Sequence, residues 1–430
     1  MKVTIADKVI TDDSRLCDSS TYFFADHQSR KYLDDVKAKG CAGILYPTDL
    51  KTIVGLDSIK AIGVTGTNGK TTTTALIYSL LLDLGYKAAL LGTRGFFINE
   101  ERGADKSLTT PSLLENLHDI YRAKEAGCEY FVMEVSSHGI DQQRIEGIDF
   151  ALKVHTNITG DHLDYHKTFE NYRDVKNSFL ADETPKLINK DDPHVDFNYK
   201  NAMTYAIEGA GIYRIEAYSL NHNHLTGIVK SVDGRAVFQS PLMGTFNLYN
   251  ILAAIGSVHM LTKLPLEEIC DKVENFGGVE GRMEVINGKP LIIVDFAHTH
   301  DGIEKALESL ESKNIIALFG AGGDRDKTKR PKMGFAAAKK AKHIYLTSDN
   351  PRHEEPMAII EDILAGIDQK DKVTIEPDRE KAIALALKNL NENEVLLVLG
   401  KGDEKIQEIG DSIHPFSDKA IILKYLNQKD

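Results

Sequence analysis

Apolar residues in this chain come in short runs, and most runs stop at a polar or glycine-bearing junction. Between residues 59 and 282 the runs fall at 59–64, 88–91, 130–135 and 151–158, with helical stretches between them. That alternation predicts a mainly parallel sheet covered by helices. A second series, at 291–294, 315–319, 344–347 and 395–399, predicts another α/β unit over 283–430. Residues 1–58 read as a small mixed unit, with strands at 22–25 and 43–46 and a helix over 30–39. The stretch 191–230 is more polar and predicts shorter, irregular strands. No internal repeat or low-complexity segment is visible. The fold class is therefore α/β in three domains, 1–58, 59–282 and 283–430.

Ligands of open α/β sheets gather at the carboxyl ends of strands. Here those ends are polar. Gly92-Thr93, Glu134-Val135-Ser136-Ser137-His138 and the segment 157–162 close three runs of the middle unit. Asp295, the segment 320–324, Asp349-Asn350 and Gly400-Lys401-Gly402 close the four runs of the last one. The most telling junction is Ile62-Gly63-Val64-Thr65-Gly66-Thr67-Asn68-Gly69-Lys70-Thr71-Thr72. An apolar run enters a glycine-rich turn that ends in Gly-Lys-Thr and opens a helix. Such a turn lets backbone N–H groups close on phosphate oxygens, with the positive end of the helix behind them. Lys70 can reach the outer phosphates and the Thr71 hydroxyl can ligate Mg²⁺. The passage predicts a nucleoside triphosphate site rather than an ordinary glycine turn.

Bulk properties narrow the picture. Hydrophobic residues make up 42% and charged residues 27%, as in ordinary water-soluble domains with working cores. A net charge of −12 argues against a general nucleic-acid surface, so an anionic ligand must meet local cations. Cys17, Cys41, Cys128 and Cys270 stand singly, which predicts reduced thiols rather than a zinc site or disulfides. The first residues lack an apolar signal core and no run approaches a membrane span. A cytoplasmic monomer is expected, with no membrane or nucleic-acid partner.

Other segments have two readings each. Glu134 ends an apolar strand, where a carboxylate needs a cation partner or a metal. Asp161-His162-Leu163-Asp164-Tyr165-His166 has metal-ligand residue types, or starts a helix with Asp161 as its cap. Lys176, in a helix beginning near Phe169, reads by itself as a solvated charge. Asp295-Phe296-Ala297-His298 can hold a ribose or a metal-bound water, or be a helix cap and a packed histidine. Two loops, Gly322-Gly323-Asp324-Arg325-Asp326-Lys327 and Asp349-Asn350-Pro351-Arg352, carry arginines that can clamp a carboxylate together, or simply pair at the surface. Asp12-Asp13-Ser14-Arg15 reads as a solvated turn.

Taken in order, these segments resemble those of the Mur ligases, the ATP-dependent amide-bond ligases of peptidoglycan precursor synthesis. The resemblance rests on residues 66–71, Thr109-Thr110-Pro111, 133–138, 161–166 and Phe246-Asn247-Leu248-Tyr249-Asn250. It continues through Gly281-Arg282-Met283-Glu284, Asp295-Phe296-Ala297-His298-Thr299, 323–327 and 349–352, and so covers nearly the whole chain. Within the family it is nearest to members that add meso-2,6-diaminopimelate to UDP-N-acetylmuramoyl-L-alanyl-D-glutamate through an acyl phosphate. It implies a small N-terminal UDP-substrate domain, a central P-loop ATPase domain and a Rossmann-like, amino-acid-binding C-terminal domain. It implies ATP contacts at Gly66, Thr67, Asn68, Gly69, Lys70, Thr71, Thr72, Asn247, Asn250, Arg282 and Asp295. Thr71, Glu134 and His162 are implied to surround Mg²⁺, with Lys176 as a carbamate beside a second ion; Lys70, Lys176, Glu134 and His162 form the catalytic set. The UDP-muramoyl-dipeptide site is implied at Ser14, His27, Gln28, Thr109, Thr110, Ser136, Gln142 and Arg144. The amino-acid site is implied at Arg325, Asp349, Asn350, Pro351, Arg352, Gly400 and Glu404. The chain departs from the family pattern in its short first domain, and at Phe296, His300 and Asp403. Two rival readings remain at this point: a folylpolyglutamate synthetase, which shares the P-loop and three-domain plan, and a P-loop switch or motor ATPase.

Overall fold

The computed structural model describes residues 1–105, 108–221, 224–310, 312 and 314–427. A four-stranded sheet opens the chain, in the order Lys2–Ile5, Lys8–Thr11, Thr21–Phe24, Gly43–Leu45. Its first two strands form an antiparallel hairpin and the others add in parallel. The hairpin and the helix Pro47–Val54 go beyond the expected elements. Strands of four residues carry too little alternation to stand out from a loop. Ile5, Ile10, Phe24, Leu50 and Val54 join this unit to the packed face of the helix Leu113–Glu125 in one core.

The middle sheet has eleven strands. The P-loop strand Lys60–Thr65 lies between Phe150–His155 and Tyr130–Val135, with Ala88–Gly92 beyond the latter. These pairings are parallel. Helices Lys70–Asp83 and Phe246–Thr262 cover one face; the helix Leu113–Glu125 covers the other. Coverage on both sides is why Tyr130–Val135 is apolar nearly throughout and wholly buried. The register does the functional work. Thr65 pairs with Val135 on one side and with His155 on the other. The P-loop, the 136–142 segment and the 156–162 loop therefore leave the sheet at one edge.

The expectation of short, irregular strands over 191–230 is corrected. Tyr213–Asn221 and His224–Ser231 form a long antiparallel hairpin, extended by Gly234–Ser240, with one register shift between Ile215 and Ala217. In His224–Ser231 every second residue is buried. The polarity of the segment reflects a sheet wetted on one face, not an irregular backbone.

The last unit is a six-stranded sheet in the order Glu284–Gly288, Leu291–Asp295, Val395–Leu399, Ile315–Phe319, His343–Leu346, Val373–Ile375. All but the first strand run parallel. Asp295, Gly320, Thr347 and Gly400 thus sit at its carboxyl edge. An additional hairpin, Ile406–Ile409 with Ser412–Pro415, stands against the loops of that edge.

Candidate functional site

The turn after Lys60–Thr65 is built for close approach. Gly69 has φ +85°, and a Cβ there would lie 2.4 Å from Asn250 Oδ1. The turn is braced by the neighbouring strand end: Asn68 N donates to Asn157 Oδ1 (3.0 Å), and Thr156 Oγ1 and Asn157 Nδ2 donate to Asn68 O (2.7 and 3.1 Å). Thr67 N donates to Asn157 O at 2.6 Å. The first-turn amides of Lys70, Thr71 and Thr72 have no acceptor within their own helix and remain for an anion. Lys70 Nζ folds back on Gly66 O (2.9 Å) and Thr67 O (3.0 Å). Desolvation pushes its pKa down, against the pull of Glu134 and Asp161.

Glu134 is 2% exposed. Its carboxylate accepts from Thr93 N (2.8 Å), Thr93 Oγ1 (3.2 Å) and Thr71 Oγ1 (3.0 Å). Among the described residues no lysine or arginine forms an ion pair with it. A buried carboxylate with hydroxyl and amide partners but no contacting cation is a donor set that suits a hard divalent ion. No group of three His, Cys, Asp or Glu able to hold a metal exists among the described residues. A metal here would draw its other ligands from phosphate and water, the usual habit of Mg²⁺. The residues of 161–166 are not gathered into such a group. His166 is buried with Nε2 3.0 Å from Ser137 Oγ, while His162 lies beside Asp161 and stacks edge-on to His138. Asp161 is not the helix cap either: His162, at φ +54°, precedes Leu163–His166. Desolvation, then His138, His298 and Lys70, push the His162 pKa down to about 4 against the pull of Asp161, so the imidazole is neutral at neutral pH.

Lys176 is 1% exposed, not solvated. Its Nζ donates to Gly66 O at 2.8 Å, the same carbonyl that Lys70 uses. Burial, then the neighbouring Lys70, hold its pKa well below that of an ordinary lysine. Two ammonium groups on one carbonyl repel each other, which favours the neutral amine at Lys176.

Thr110, Gln142, Arg144 and Ser136 form one network. Arg144 Nη1 donates to Thr110 O (2.7 Å) and Nη2 to Gln142 Oε1 (2.6 Å). Thr110 Oγ1 donates to Glu134 O and accepts from Ser136 N, both at 2.9 Å. Thr109 Oγ1 is 3.1 Å from Thr93 Oγ1, one step from Glu134. Ser14 is buried in a short 3₁₀ turn, with its carbonyl on Lys39 Nζ, while His27 and Gln28 are exposed after Thr21–Phe24. No direct bond joins these three to Arg144 among the described residues.

On the other side of the P-loop helix, Asn250 Nδ2 donates to Asn247 Oδ1 (2.8 Å) and Asn250 Oδ1 accepts from Thr73 Oγ1 (3.3 Å). Asn247, Val279, Arg282 and Met283 line a cleft of about 690 Å³. Arg282 stacks on the Phe296 ring at 4.1 Å and lies 3.7 Å from Asp403. Two of the departures from the family pattern, Phe296 and Asp403, thus hold one arginine. Asp295 ends its strand and accepts from Met283 N (2.7 Å) and Ala297 N (2.8 Å); burial raises its pKa. The helix cap is Thr299, not Asp295. The units meet across this edge: Asn68 Nδ2 donates to Asp301 Oδ2 at 2.8 Å, and His298 lies 3.8 Å from Asp161.

At the C-terminal edge, Asn350 Nδ2 donates to Glu404 Oε2 (3.0 Å). Lys401 Nζ bridges Asn350 Oδ1 (2.9 Å) and the same Glu404 oxygen (3.0 Å). Asp349 Oδ1 accepts from Asn350 N, and a Cβ on Gly400 would sit 2.6 Å from Asp349 Oδ2. Both arginines of the expected clamp flank Gly322: a Cβ there would lie 3.1 Å from Arg352 Nη1 and 3.6 Å from Arg325 Cγ. Arg325 is exposed with no hydrogen-bond partner among the described residues, whereas Arg352 Nε donates to Glu408 Oε2 at 2.6 Å. Lys401 and Glu408 were not anticipated. Lys401 sat within a matched motif as a bare lysine, and Glu408 carried no signal.

Residues 64–258 match the Mur ligase middle domain, and residues 281–402 match the Mur ligase, glutamate ligase domain. The chain belongs to the Mur ligase family and is an ATP-dependent ligase of peptidoglycan precursor synthesis. Over 419 residues it is 55% identical to UDP-N-acetylmuramoyl-L-alanyl-D-glutamate–2,6-diaminopimelate ligase of Wolinella succinogenes, covering 97% of this chain and 96% of that protein. The enzyme of the same name from Helicobacter pylori is 53% identical over 409 residues, covering 93% and 91%. A solved structure of a ligase with that name superposes with a TM-score of 0.68 at 29% identity, over 98% of this chain and 94% of that one. No helix among the described residues is long and apolar enough to cross a membrane.

Proposed function

We propose that the chain joins meso-2,6-diaminopimelate to the D-glutamate carboxylate of UDP-N-acetylmuramoyl-L-alanyl-D-glutamate, with cleavage of ATP to ADP and phosphate. The 55% identity to a ligase of that name over nearly the full length carries this reading. Residues 1–58 and the network around Arg144 would take the UDP-dipeptide, residues 59–282 the nucleotide, and residues 283–430 the amino acid. The D-glutamate carboxylate attacks the γ-phosphorus, ADP leaves, the diaminopimelate amine attacks the resulting acyl carbonyl, and phosphate departs.

A carboxylate and a triphosphate repel each other, so charge neutralisation and alignment dominate the first step. Lys70 and the first-turn amides supply part of it. Thr71 and Glu134 would hold Mg²⁺, which screens the phosphates when bound. His162, neutral, flanks that position without adding charge. Lys176 meets the requirement for a carbamate: only a neutral amine adds CO₂, releasing a proton, and an ordinary lysine at pH 7 is neutral in about one molecule of 2,500. Its burial beside Lys70 lowers that obstacle. Asn247, Asn250, Arg282 and Asp295 would close on the nucleoside.

Phosphate release is expected only when ATP, the UDP-dipeptide and diaminopimelate are all present. Release with ATP alone would return the chain to the motor or switch class, and release with a folate and glutamate to the folylpolyglutamate class. Lys176→Ala is expected to lose most activity and to recover part of it with added short carboxylates. Full activity in that variant would end the carbamate reading.

A further inference from the structure

The Arg352 guanidinium is held on two sides before any ligand arrives. Nε donates to Glu408 Oε2 at 2.6 Å, and Nη1 donates to Gly323 O at 2.9 Å. Nη2 has no acceptor among the described residues. The backbone of the same residue is pinned as well. Arg352 sits at φ +50°, its N–H donates to Glu408 O (3.1 Å), and its carbonyl accepts from Gly410 N (2.7 Å). Glu408 N in turn donates to Asn350 Oδ1 (3.1 Å), and Gln407 Nε2 donates to Asp349 O (2.8 Å). Apart from the Gly323 contact, these grips come from the hairpin Ile406–Ile409 with Ser412–Pro415 and its turn, and the second strand of that hairpin is exposed throughout. The hairpin carries little core. Its buried work is to hold the 349–352 loop.

A side-chain carboxylate at position 408 does something a backbone grip cannot. An arginine on a flexible stem can point many ways, and ordering it for a bidentate contact costs rotamer freedom. With Nε on Glu408 and one Nη1 hydrogen on Gly323 O, the guanidinium plane is set. Its Nη1–Nη2 edge is then the one free to meet a carboxylate in fork geometry.

We propose that Glu408 is a specificity-determining positioning residue: it fixes Arg352 so that the free guanidinium edge receives the distal carboxylate of the incoming diamino diacid. This rests on the amino-acid site proposed above. L-lysine has no such carboxylate, so the oriented edge discriminates between the two amines.

The test is steady-state kinetics of Glu408→Ala, Glu408→Gln and Arg352→Ala with meso-diaminopimelate and L-lysine. For Glu408→Ala the expected result is a KM for meso-diaminopimelate raised about tenfold or more, the loss of one charge-assisted bond. KM for ATP and for the UDP-dipeptide stays unchanged, kcat stays near the parent value, and the preference over L-lysine falls about as much as KM rises. Glu408→Gln keeps an acceptor oxygen and recovers most of the preference. If Arg352→Ala loses the preference while Glu408→Ala and Glu408→Gln keep it, the role of Glu408 is refuted and the site stands. If Arg352→Ala itself retains full preference, the reading of the amino-acid site falls. A uniform fall in kcat with every substrate KM unchanged would make Glu408 merely structural.

Discussion

Single side chains show best how far burial rewrites sequence expectations. Lys176 reads as a surface charge on a short helix, yet the fold buries it against Gly66 O beside a second lysine. Nothing local to residues 169–178 encodes that; the P-loop does, from more than a hundred positions away. Asp119 is a second case. It is 4% exposed on Leu113–Glu125, and burial pushes its carboxyl up to about 7 despite Arg122 nearby. The folded chain then keeps a proton that an unfolded carboxyl, near 3.9, gives up. Stability contributed by that proton is present in acid and drains away as pH climbs from about 4 to about 7. Asp119→Asn is therefore expected to melt several degrees above the parent at pH 8 and close to it at pH 4, by calorimetry. An unchanged difference at the two pH values would refute this.

Elements act through their ends. Gly92 ends the strand Ala88–Gly92, and a Cβ there would lie 2.4 Å from Glu134 Oε1. Gly92→Ala is expected to cut kcat by at least about tenfold, by displacing a carboxylate that must stay in place, while far-ultraviolet circular dichroism remains that of the parent. Full activity would show that the Glu134 position tolerates the shift. Helices Arg379–Asn389 and Asp418–Leu426 are tied by a fully buried ion pair, with Arg379 Nε and Nη2 on Asp418 at 2.8 and 2.7 Å. Arg379 also donates to Ser348 O and Leu399 O, at the two strand ends that frame the amino-acid loops. Asp418→Ala leaves a buried cation and should cost about 3–5 kcal/mol in denaturant unfolding. Neither partner was singled out in the sequence, since an arginine and an aspartate 39 residues apart carry no mark of pairing.

Across the whole molecule, the nucleotide edge of the middle sheet faces the carboxyl edge of the last one. Among the described residues the polar ties across that cleft are few. Asp301 takes Asn68 Nδ2, Thr159 Oγ1 lies 3.3 Å from the same oxygen, and His298 lies near Asp161. Such contacts are individually weak. A hinge near Arg282, where the chain crosses between sheets, is therefore expected to open and close around substrates. Small-angle scattering is expected to report a more compact particle with ATP, UDP-dipeptide and Mg²⁺ than without; identical profiles would count against closure.

The sequence by itself determined the class of every large sheet, the P-loop and the family. Those signals are local: apolar runs long enough to be buried strands, and glycine, lysine and threonine at the spacing that a phosphate-binding turn demands. It missed the hairpin at 2–11 and misjudged the 191–230 strands, because short or one-sided strands carry weak periodicity. Only the tertiary structure decided which residues meet. Strand register set Thr65 beside Val135 and His155, burial pushed the Lys176 pKa down, and a small hairpin took hold of Arg352. Those outcomes depend on distance between segments and on exclusion of water, and neither quantity is written into a run of neighbouring residues.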